Sequence, residues 1–153
     1  MNIDWATVAY AATAAGSAAT AIGVVIMTWQ IREARAIAQS TFEDSFDQQY
    51  RSLAKAIPVD ALIGKPVATD KKSLTRENIY NYLDVSNEQV YLRKQNRIRK
   101  STWDDWAKGI KSHMSKIEFS EVWNEVNEHA PDTFTFLARL TKDDFKSDPK
   151  SWK

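Results

Sequence analysis

Two histidines, His113 and His129, are the side chains in this sequence best suited to acid–base catalysis or to metal binding. His113 follows the apolar spacing of a helix beside Met114, and His129 lies near a helix end, where a cation complements the helix dipole. The two lie on different predicted helices, and neither follows an arginine at the spacing used by helical ribonucleases. The sequence therefore favours structural histidines over a metal ligand or a general base.

A row of glutamates lines one face of the helix that precedes His129: Glu118, Glu121, Glu125 and Glu128. Carboxylates in a row could hold a metal ion, but a solvated helix face explains them better. The sequence contains no cysteine, which excludes disulfides, zinc–thiolate sites and cysteine nucleophiles. It also contains no Gly-rich phosphate loop and no nucleophile elbow. We therefore expect no cofactor, no metal ion and no catalytic residue, and a protein that is not an enzyme.

A cluster of basic residues lies between two predicted helices: Arg93, Lys94, Arg97, Arg99 and Lys100. Such a basic patch can contact RNA, an acidic partner or the membrane surface. It can also be a solvated turn whose bases complement the end of the preceding helix, and nearby Asp104 and Asp105 partly neutralise it. A net charge of +1 argues against general attraction to nucleic acid. The solvated turn is favoured, and a membrane-tethered RNA-binding protein is an alternative.

The segment Asn87-Glu88-Gln89 lies in the middle of the aromatic-rich helix that precedes this patch. Glu88 is too far along the helix from Arg93 to form an ideal helical pair. We expect Glu88 to meet a base from another helix in a partly buried network. Such networks are more often structural than catalytic.

The elements that position these residues begin with an uncharged stretch of twenty-five residues, Trp5 to Trp29. A helix of that length reaches about 37 Å, enough to cross a hydrocarbon core of about 30 Å. The leader Met1 to Asp4 carries an acid and no base, unlike a signal peptide. Because Arg32 and Arg35 follow the stretch, the positive-inside rule places the N-terminus outside and the remaining chain in the cytoplasm. The sequence predicts one transmembrane anchor over residues 1–30, in contact with the lipid of the inner (plasma) membrane.

One face of the predicted span is built from small residues: Ala12, Gly16, Ala19 and Gly23. They form two small-x-x-x-small pairs, a spacing that lets helix backbones approach closely in lipid. A single span has no partner in its own chain, so the sequence predicts a homo-oligomer. A ring of such helices would turn Thr13, Ser17 and Thr20 toward its centre. An oligomeric membrane pore, such as an effector in phage defence, is therefore an alternative function.

Residues 31–57 are predicted to continue the helix as a rod that packs into a helical domain over 58–140. Gln30 to Ala56 contains no Gly or Pro, and the residue before Pro58 disfavours the helical conformation. An apolar stripe at helical spacing marks the packed face, while Glu43 is assigned to the solvated side. The stripe consists of Phe42, Phe46, Tyr50, Leu53 and Ile57.

The helical domain is predicted to contain a helix from about Thr75 to Lys94, capped by Ser73 or Thr75 and ended by Asn96 in a left-handed conformation. The next predicted helix runs from Ser101 to Ile117, with Ser101 and Asp104 as a capping box. Asp132 is expected to cap the last helix. Residues 141–153 are expected to form a polar tail that is frayed apart from Phe145 and Trp152. No strand-like alternation occurs, so the predicted class is all-α.

Asn87-Glu88-Gln89 and the pair Trp103-x-x-Trp106 are the most specific parts of a pattern that extends over about residues 5 to 140. This pattern resembles a widespread bacterial family of small proteins with one N-terminal span and a helical cytoplasmic domain of unknown function. The resemblance implies no catalytic residues. In layout the chain is also similar to small membrane accessory proteins of RNA-targeting CRISPR systems, which assemble into membrane pores, but the Arg/His pattern of those proteins is not found here.

The leading prediction combines these elements. The chain is expected to be a non-enzymatic single-span protein that self-assembles through the small-residue face of its span. The helical domain is expected to bind an unidentified protein partner, with nucleic acid as a disfavoured ligand.

Overall fold

A single helix, α1 (Trp5–Ala56), forms the N-terminal part of the chain. The computed structural model describes residues 4–153, apart from the side chains of Thr7, Ala11 and Ala12. The side chain of Asp4 accepts a hydrogen bond from the amide of Ala6 at 3.0 Å, which satisfies one free donor at the helix start. The helix ends one residue before Ile57-Pro58, as the proline rule requires. The prediction that the helix continues past Trp29 is confirmed.

The chain divides into two units, one up to Ser40 and the other from Thr41 to Lys153. The described part of the first unit is α1 alone, and its large apolar side chains are exposed. The second unit, called the helical domain below, contains the end of α1 and all later elements. These are α2 (Val59–Leu62), α3 (Lys72–Lys94), α4 (Lys100–Met114), α5 (Ile117–His129), α6 (Thr135–Lys142) and two single 3-10 turns, Thr69–Lys71 and Pro149–Ser151. Residues 4–153 contain no strand, so the all-α class is confirmed.

Helix α3 is the centre of the helical domain, because it packs against α5, α6 and the C-terminal 3-10 turn. Its buried residues Ile79, Leu83 and Val90 have no exposed surface. Burying one such aliphatic side chain contributes about 1.5–3 kcal/mol. Phe119 of α5 and Leu137 of α6 complete the centre of the core and are also fully buried.

The apolar stripe at the end of α1 packs as predicted. Phe46 and Ile57 are buried, and Phe42, Tyr50 and Leu53 are partly buried against the same core. The helical spacing of five apolar residues was sufficient to identify this face.

Three predicted helix caps are wrong, although Asn96 does adopt the predicted left-handed conformation, with φ 57°. Neither Ser73 nor Thr75 caps α3, which follows a 3-10 turn and begins at Lys72. Ser101 does not cap α4, whose N-cap residue is Arg99. Asp132 does not cap α6; instead Asn87 Oδ1 of α3 accepts hydrogen bonds from the first amides of α6, Phe136 and Leu137, at 3.1 Å each. At the start of α6, the acceptor for the free backbone amides therefore comes from a distant helix, and not from the adjacent residue as predicted.

The C-terminal tail, residues 141–153, is not frayed. Pro149 is buried, and the guanidinium of Arg139 lies 4.5 Å from the centre of the Trp152 ring. Trp152 also donates a hydrogen bond from Nε1 to Ser147 Oγ at 2.7 Å. The tail is polar in composition but folded, because its few apolar residues pack and two of its carboxylates, Asp144 and Asp148, pair with bases on α4 and α3.

Candidate functional site

The predicted oligomerisation residues lie on α1, in the first unit. Gly16 and Ala19 are exposed and Gly23 is partly covered, while the side chain of Ala12 lies outside the described part of the structure. A Cβ atom added at Gly16 or Gly23 would have no neighbouring atom within 4 Å. Nothing in the described chain therefore requires glycine at these two positions.

The predicted pore-lining hydroxyls are satisfied within α1. Thr13, Ser17 and Thr20 each donate a hydrogen bond of 2.9 Å to the carbonyl oxygen four residues earlier. Back-bonding of this kind removes the need for a water partner. These three side chains are therefore compatible with lipid as well as with an aqueous channel.

The five members of the basic patch separate into distinct contacts. The guanidiniums of Arg93 and Arg99 bind carboxylates, and Lys100 pairs with Asp104 one turn along α4. Arg97 lies 4.5 Å from the ring centre of Phe42, and Lys94 lies 5.4 Å from that of Phe136. The structure thus brings these side chains to different partners rather than to one common surface site.

Arg93 is the most buried of these bases, with 4% of its side chain exposed. Its Nε donates to Asp148 Oδ1 at 2.8 Å, and its Nη1 donates to the carbonyl oxygen of Ile98 at 2.7 Å. The guanidinium hydrogen bond lowers the pKa of the Asp148 carboxyl, against the opposing effect of burial. This pair joins α3 to the C-terminal tail.

Glu43 is a buried acid, although its position off the apolar stripe predicts the solvated side of α1. Its Oε1 accepts from the amide of Arg99 at 2.7 Å, and its Oε2 accepts from Arg99 Nε and from the Thr102 hydroxyl, each at 2.8 Å. Burial raises the pKa of Glu43, but these hydrogen bonds outweigh it and hold the pKa below 4.5. One signal could have found it: Glu43 precedes Tyr50 by seven residues, nearly two turns, and so shares its face.

Lowering the pH is expected to destabilise the helical domain through Glu43 and Asp148. Because both pKa values are lowered on folding, the unfolded chain binds more protons. The stabilisation is present above the ordinary carboxyl values of 4.5 and 3.8 and is lost as the pH falls below them. Urea unfolding from neutral pH to about pH 3 should show this loss, and the variant Glu43→Gln/Asp148→Asn should show a flatter dependence. Equal pH dependence in both proteins would contradict the assignment.

A cleft of about 460 Å³ lies between the end of α1, α3 and α4. Its walls include Tyr50 and Asp47 of α1, Tyr82 and Gln89 of α3, and Trp106 of α4. The volume is within the range of about 300–1,000 Å³ typical of small-molecule sites. Trp106 Nε1 donates a hydrogen bond of 3.0 Å to Asp47 Oδ1, which fixes two of the walls relative to each other. We take this cleft as the candidate functional site.

His113 lies behind the cleft, within a cluster of aromatic rings. Its ring centre is 5.2 Å from those of Tyr82 and Phe119 and 6.3 Å from that of Tyr50. Its Nδ1 lies 2.9 Å from the carbonyl oxygen of Gly109, which can only accept, so Nδ1 carries the proton. Burial lowers the pKa of His113. The imidazole is therefore neutral at neutral pH and packs as an aromatic core residue.

The acidic row on α5 is not a uniform solvated face. Glu118 is buried and accepts a hydrogen bond of 2.9 Å from the amide of Val67, whereas Glu121 and Glu125 pair with Lys72 and Arg76 on α3. Among the described residues, no three His, Asp or Glu side chains are arranged to hold a metal ion.

Glu88 does not form the partly buried network that was expected, because its side chain is exposed. Its two neighbours in sequence make the contacts instead. Asn87 caps α6, and Gln89 is buried at the wall of the cleft. The prediction that Glu88 is partly buried is wrong, and the buried member of the segment is Gln89.

The resemblance to a bacterial family of single-span proteins rests on Asn87-Glu88-Gln89 and Trp103-x-x-Trp106. Both segments contribute to the core or to the cleft, since Trp103 is buried and Gln89 and Trp106 line the cleft. The family assignment stays a prediction. No protein-family model, curated protein or solved structure matches the chain.

Proposed function

We propose that this chain is a non-enzymatic inner-membrane protein that crosses the bilayer once, self-assembles through its span and presents its helical domain to a protein partner. One observation carries the membrane assignment. Helix α1 contains a window of mean hydropathy 1.6 in which no residue is buried. Trp5, Tyr10 and Val25 are each more than two-thirds exposed. A bilayer would cover this apolar surface, which the described chain leaves in contact with solvent.

The polar groups of the span are compatible with hydrocarbon. Hydrogen-bonding groups in lipid must be satisfied within the protein, because no water is present there. Thr13, Ser17, Thr20 and Thr28 all donate their hydroxyl protons to carbonyl oxygens one turn earlier. Trp5 and Trp29 end the uncharged stretch at positions where interfacial aromatic residues are common.

The orientation follows from charge. Arg32 and Arg35 follow the uncharged stretch, while Asp4 precedes it. The positive-inside rule favours the helical domain in the cytoplasm and the N-terminus outside. Met1 to Ile3 lie outside the described residues and do not enter this assignment.

Self-association is supported by the distribution of small residues on the span. Gly16, Ala19 and Gly23 lie on the small-residue face of the helix, and the sequence places Ala12 on the same face. Close backbone approach across such a face is a common mode of helix association in membranes. A Cβ atom added at Gly16 or Gly23 meets no described atom within 4 Å, so larger residues at these positions are expected to act mainly on contacts with another helix.

Replacing Gly16 and Gly23 by Leu is expected to convert a discrete multimer into a monomer. Separating the two backbones should weaken association at least about tenfold, or about 1.4 kcal/mol. The measurement is the native mass of the full-length protein in nanodiscs. The control is Ile22→Leu/Val25→Leu, which keeps bulky residues on the bulky face and should leave the mass unchanged. A wild-type monomer, or a multimer that survives both pairs of substitutions, would refute assembly through this face.

The oligomeric pore is a second candidate, favoured by the exposed hydroxyls of Thr13, Ser17 and Thr20 on one helix face. A potential-sensitive dye tests it in cells that express the wild-type chain. Depolarisation that disappears in the Gly16→Leu/Gly23→Leu variant would support the pore. A stable membrane potential with an intact multimer would leave assembly as the function of the span.

A further inference from the structure

Gln89 is the unusual residue of the cleft between α1, α3 and α4. It is 5% exposed, and the described residues provide its side-chain amide with no hydrogen-bond partner. Every fully enclosed side-chain nitrogen or oxygen in the described chain has a partner. The amide of Gln89 therefore keeps its small accessible surface toward the cleft that it lines. Water in the cleft can reach this amide, and a ligand that forms a hydrogen bond with it would replace that water.

The other walls of the cleft determine the charge of that ligand. Asp47 and Asp105 line it, whereas no lysine or arginine does among the described residues. Asp47 Oδ1 is bound by Trp106 Nε1, but Asp47 Oδ2 has no hydrogen-bond partner within the described chain. Lys108 pairs with Asp105 at 3.4 Å, but both side chains are largely exposed, so this pair is weak. Asp47 forms no ion pair within the described residues, and its carboxylate repels anions and attracts cations.

The apolar part of the cleft is aromatic. Tyr50, Tyr82 and Trp106 contribute rings to its walls. Aromatic faces attract ammonium and guanidinium groups, most strongly where water is excluded. Carboxylates beside aromatic rings favour an organic cation over a metal ion, since the described residues hold no cluster of three metal-ligating side chains.

We propose that this cleft binds a small organic cation that carries a guanidinium or ammonium group. The cation donates N–H groups to the carboxylate of Asp47 and to the amide oxygen of Gln89 and packs against the rings of Tyr50 and Trp106. The same chemistry is available from a free small molecule and from the arginine side chain of a protein partner. Binding uses residues of the helical domain alone, so it does not depend on assembly of the span.

Calorimetric titration of the full-length protein in nanodiscs tests the proposal. The probes are ethylguanidinium, its neutral near-isostere ethylurea, and N-acetyl-arginine amide as a model of a partner's side chain. We expect saturable binding of ethylguanidinium and at least about tenfold weaker binding of ethylurea. Tighter binding of the arginine amide, by about tenfold or more, would assign the cation to a protein partner rather than to a free molecule.

Three variants locate the site. Asp47→Asn keeps an acceptor for Trp106 and removes the charge, and Gln89→Met keeps the volume and removes the amide. Both should weaken ethylguanidinium binding by about tenfold. Asp104→Asn, which removes the same charge one turn from Lys100 and outside the cleft, should not. The melting temperature of Gln89→Met should not fall below that of the wild type, because the substitution removes no hydrogen bond between described residues and keeps an apolar side chain in the core.

Two outcomes would overturn the proposal. The first is no saturable binding of ethylguanidinium or of the arginine amide, or equal binding of the neutral probe. The second is binding that survives both Asp47→Asn and Gln89→Met while both variants remain folded.

Discussion

Replacing Asp148 by Asn is expected to lower the free energy of unfolding of the helical domain by about 3 kcal/mol. The substitution leaves the guanidinium of Arg93, 4% exposed, without its counter-charge. Removing one partner of a buried pair is costly because the remaining charge stays desolvated. Since 32% of the Asp148 side chain is exposed, the effect should fall at the lower end of the range for fully buried pairs. Urea unfolding of the full-length protein in detergent, followed by tryptophan fluorescence, measures it.

Asp144→Asn is the matched control for this prediction. Asp144 lies in the same C-terminal tail and pairs with Lys111 at 2.7 Å, but both side chains are at least half exposed. An exposed pair contributes about 0–1 kcal/mol. Equal effects of the two substitutions would show that the buried position of Arg93 is not the source of the stability.

A second variant separates two effects on the free energy of unfolding: the loss of the ion pair, and the burial of an arginine that has no counter-charge. In Arg93→Met/Asp148→Asn no charge is left buried, and the methionine fills the space of the arginine stem. We expect the double variant to recover at least about 1 kcal/mol relative to Asp148→Asn alone. The recovery is incomplete because the carbonyl oxygen of Ile98 also loses the hydrogen bond from Arg93. A double variant less stable than Asp148→Asn would contradict this account.

Replacing Glu43 by Ala is expected to lower the free energy of unfolding by about 2–3 kcal/mol. Glu43 accepts from the backbone and guanidinium of Arg99 and from the hydroxyl of Thr102, and thereby fixes the start of α4 against α1. Without the carboxylate the amide of Arg99 loses its acceptor at the helix start. Arg99 itself is half exposed, so its guanidinium can be hydrated, which limits the loss.

The control is the neighbouring substitution Asp44→Ala, which removes the same charge from an exposed position of α1. Its effect should stay within about 0.5 kcal/mol. The loss of stability in Glu43→Gln should lie between those of the two alanine variants. Its single amide oxygen can accept only some of the hydrogen bonds that the two carboxylate oxygens accept. The same urea experiment reports all three variants. If Glu43→Ala were no more destabilising than Asp44→Ala, the contact with α4 would have no energetic role.

Local patterns in the sequence determined the elements of this protein. Apolar residues at helical spacing identified the packed face of α1 near Phe46, and the Ile57-Pro58 step identified its end. Asn96 was recognised as the residue that could take a left-handed conformation after α3. The long uncharged stretch identified a helix able to cross a membrane. Each of these signals depends on residues within one or two turns of one another, so the tertiary structure is not needed to read them.

Only the tertiary structure decided the partners of the polar residues. Glu43 and Arg99 are 56 residues apart in sequence, and Arg93 and Asp148 are 55 apart. A charged residue on a predicted helix is expected to be solvated until the packing of other helices brings an opposite charge to it. The basic patch was therefore treated as one feature in the sequence, whereas folding distributes its members among separate contacts.

The candidate cleft also depends partly on local sequence and partly on tertiary packing. The sequence singled out Asn87-Glu88-Gln89 but assigned the buried role to Glu88, which is exposed, rather than to Gln89. Which of three adjacent polar residues faces the interior depends on where α1 and α4 pack around α3, since neighbouring helix positions differ by about 100° in direction. The sequence by itself determined the helices and their apolar faces. The packing of those helices decided which polar side chains became buried and which found partners. It also left Gln89 without a hydrogen-bond partner among the described residues.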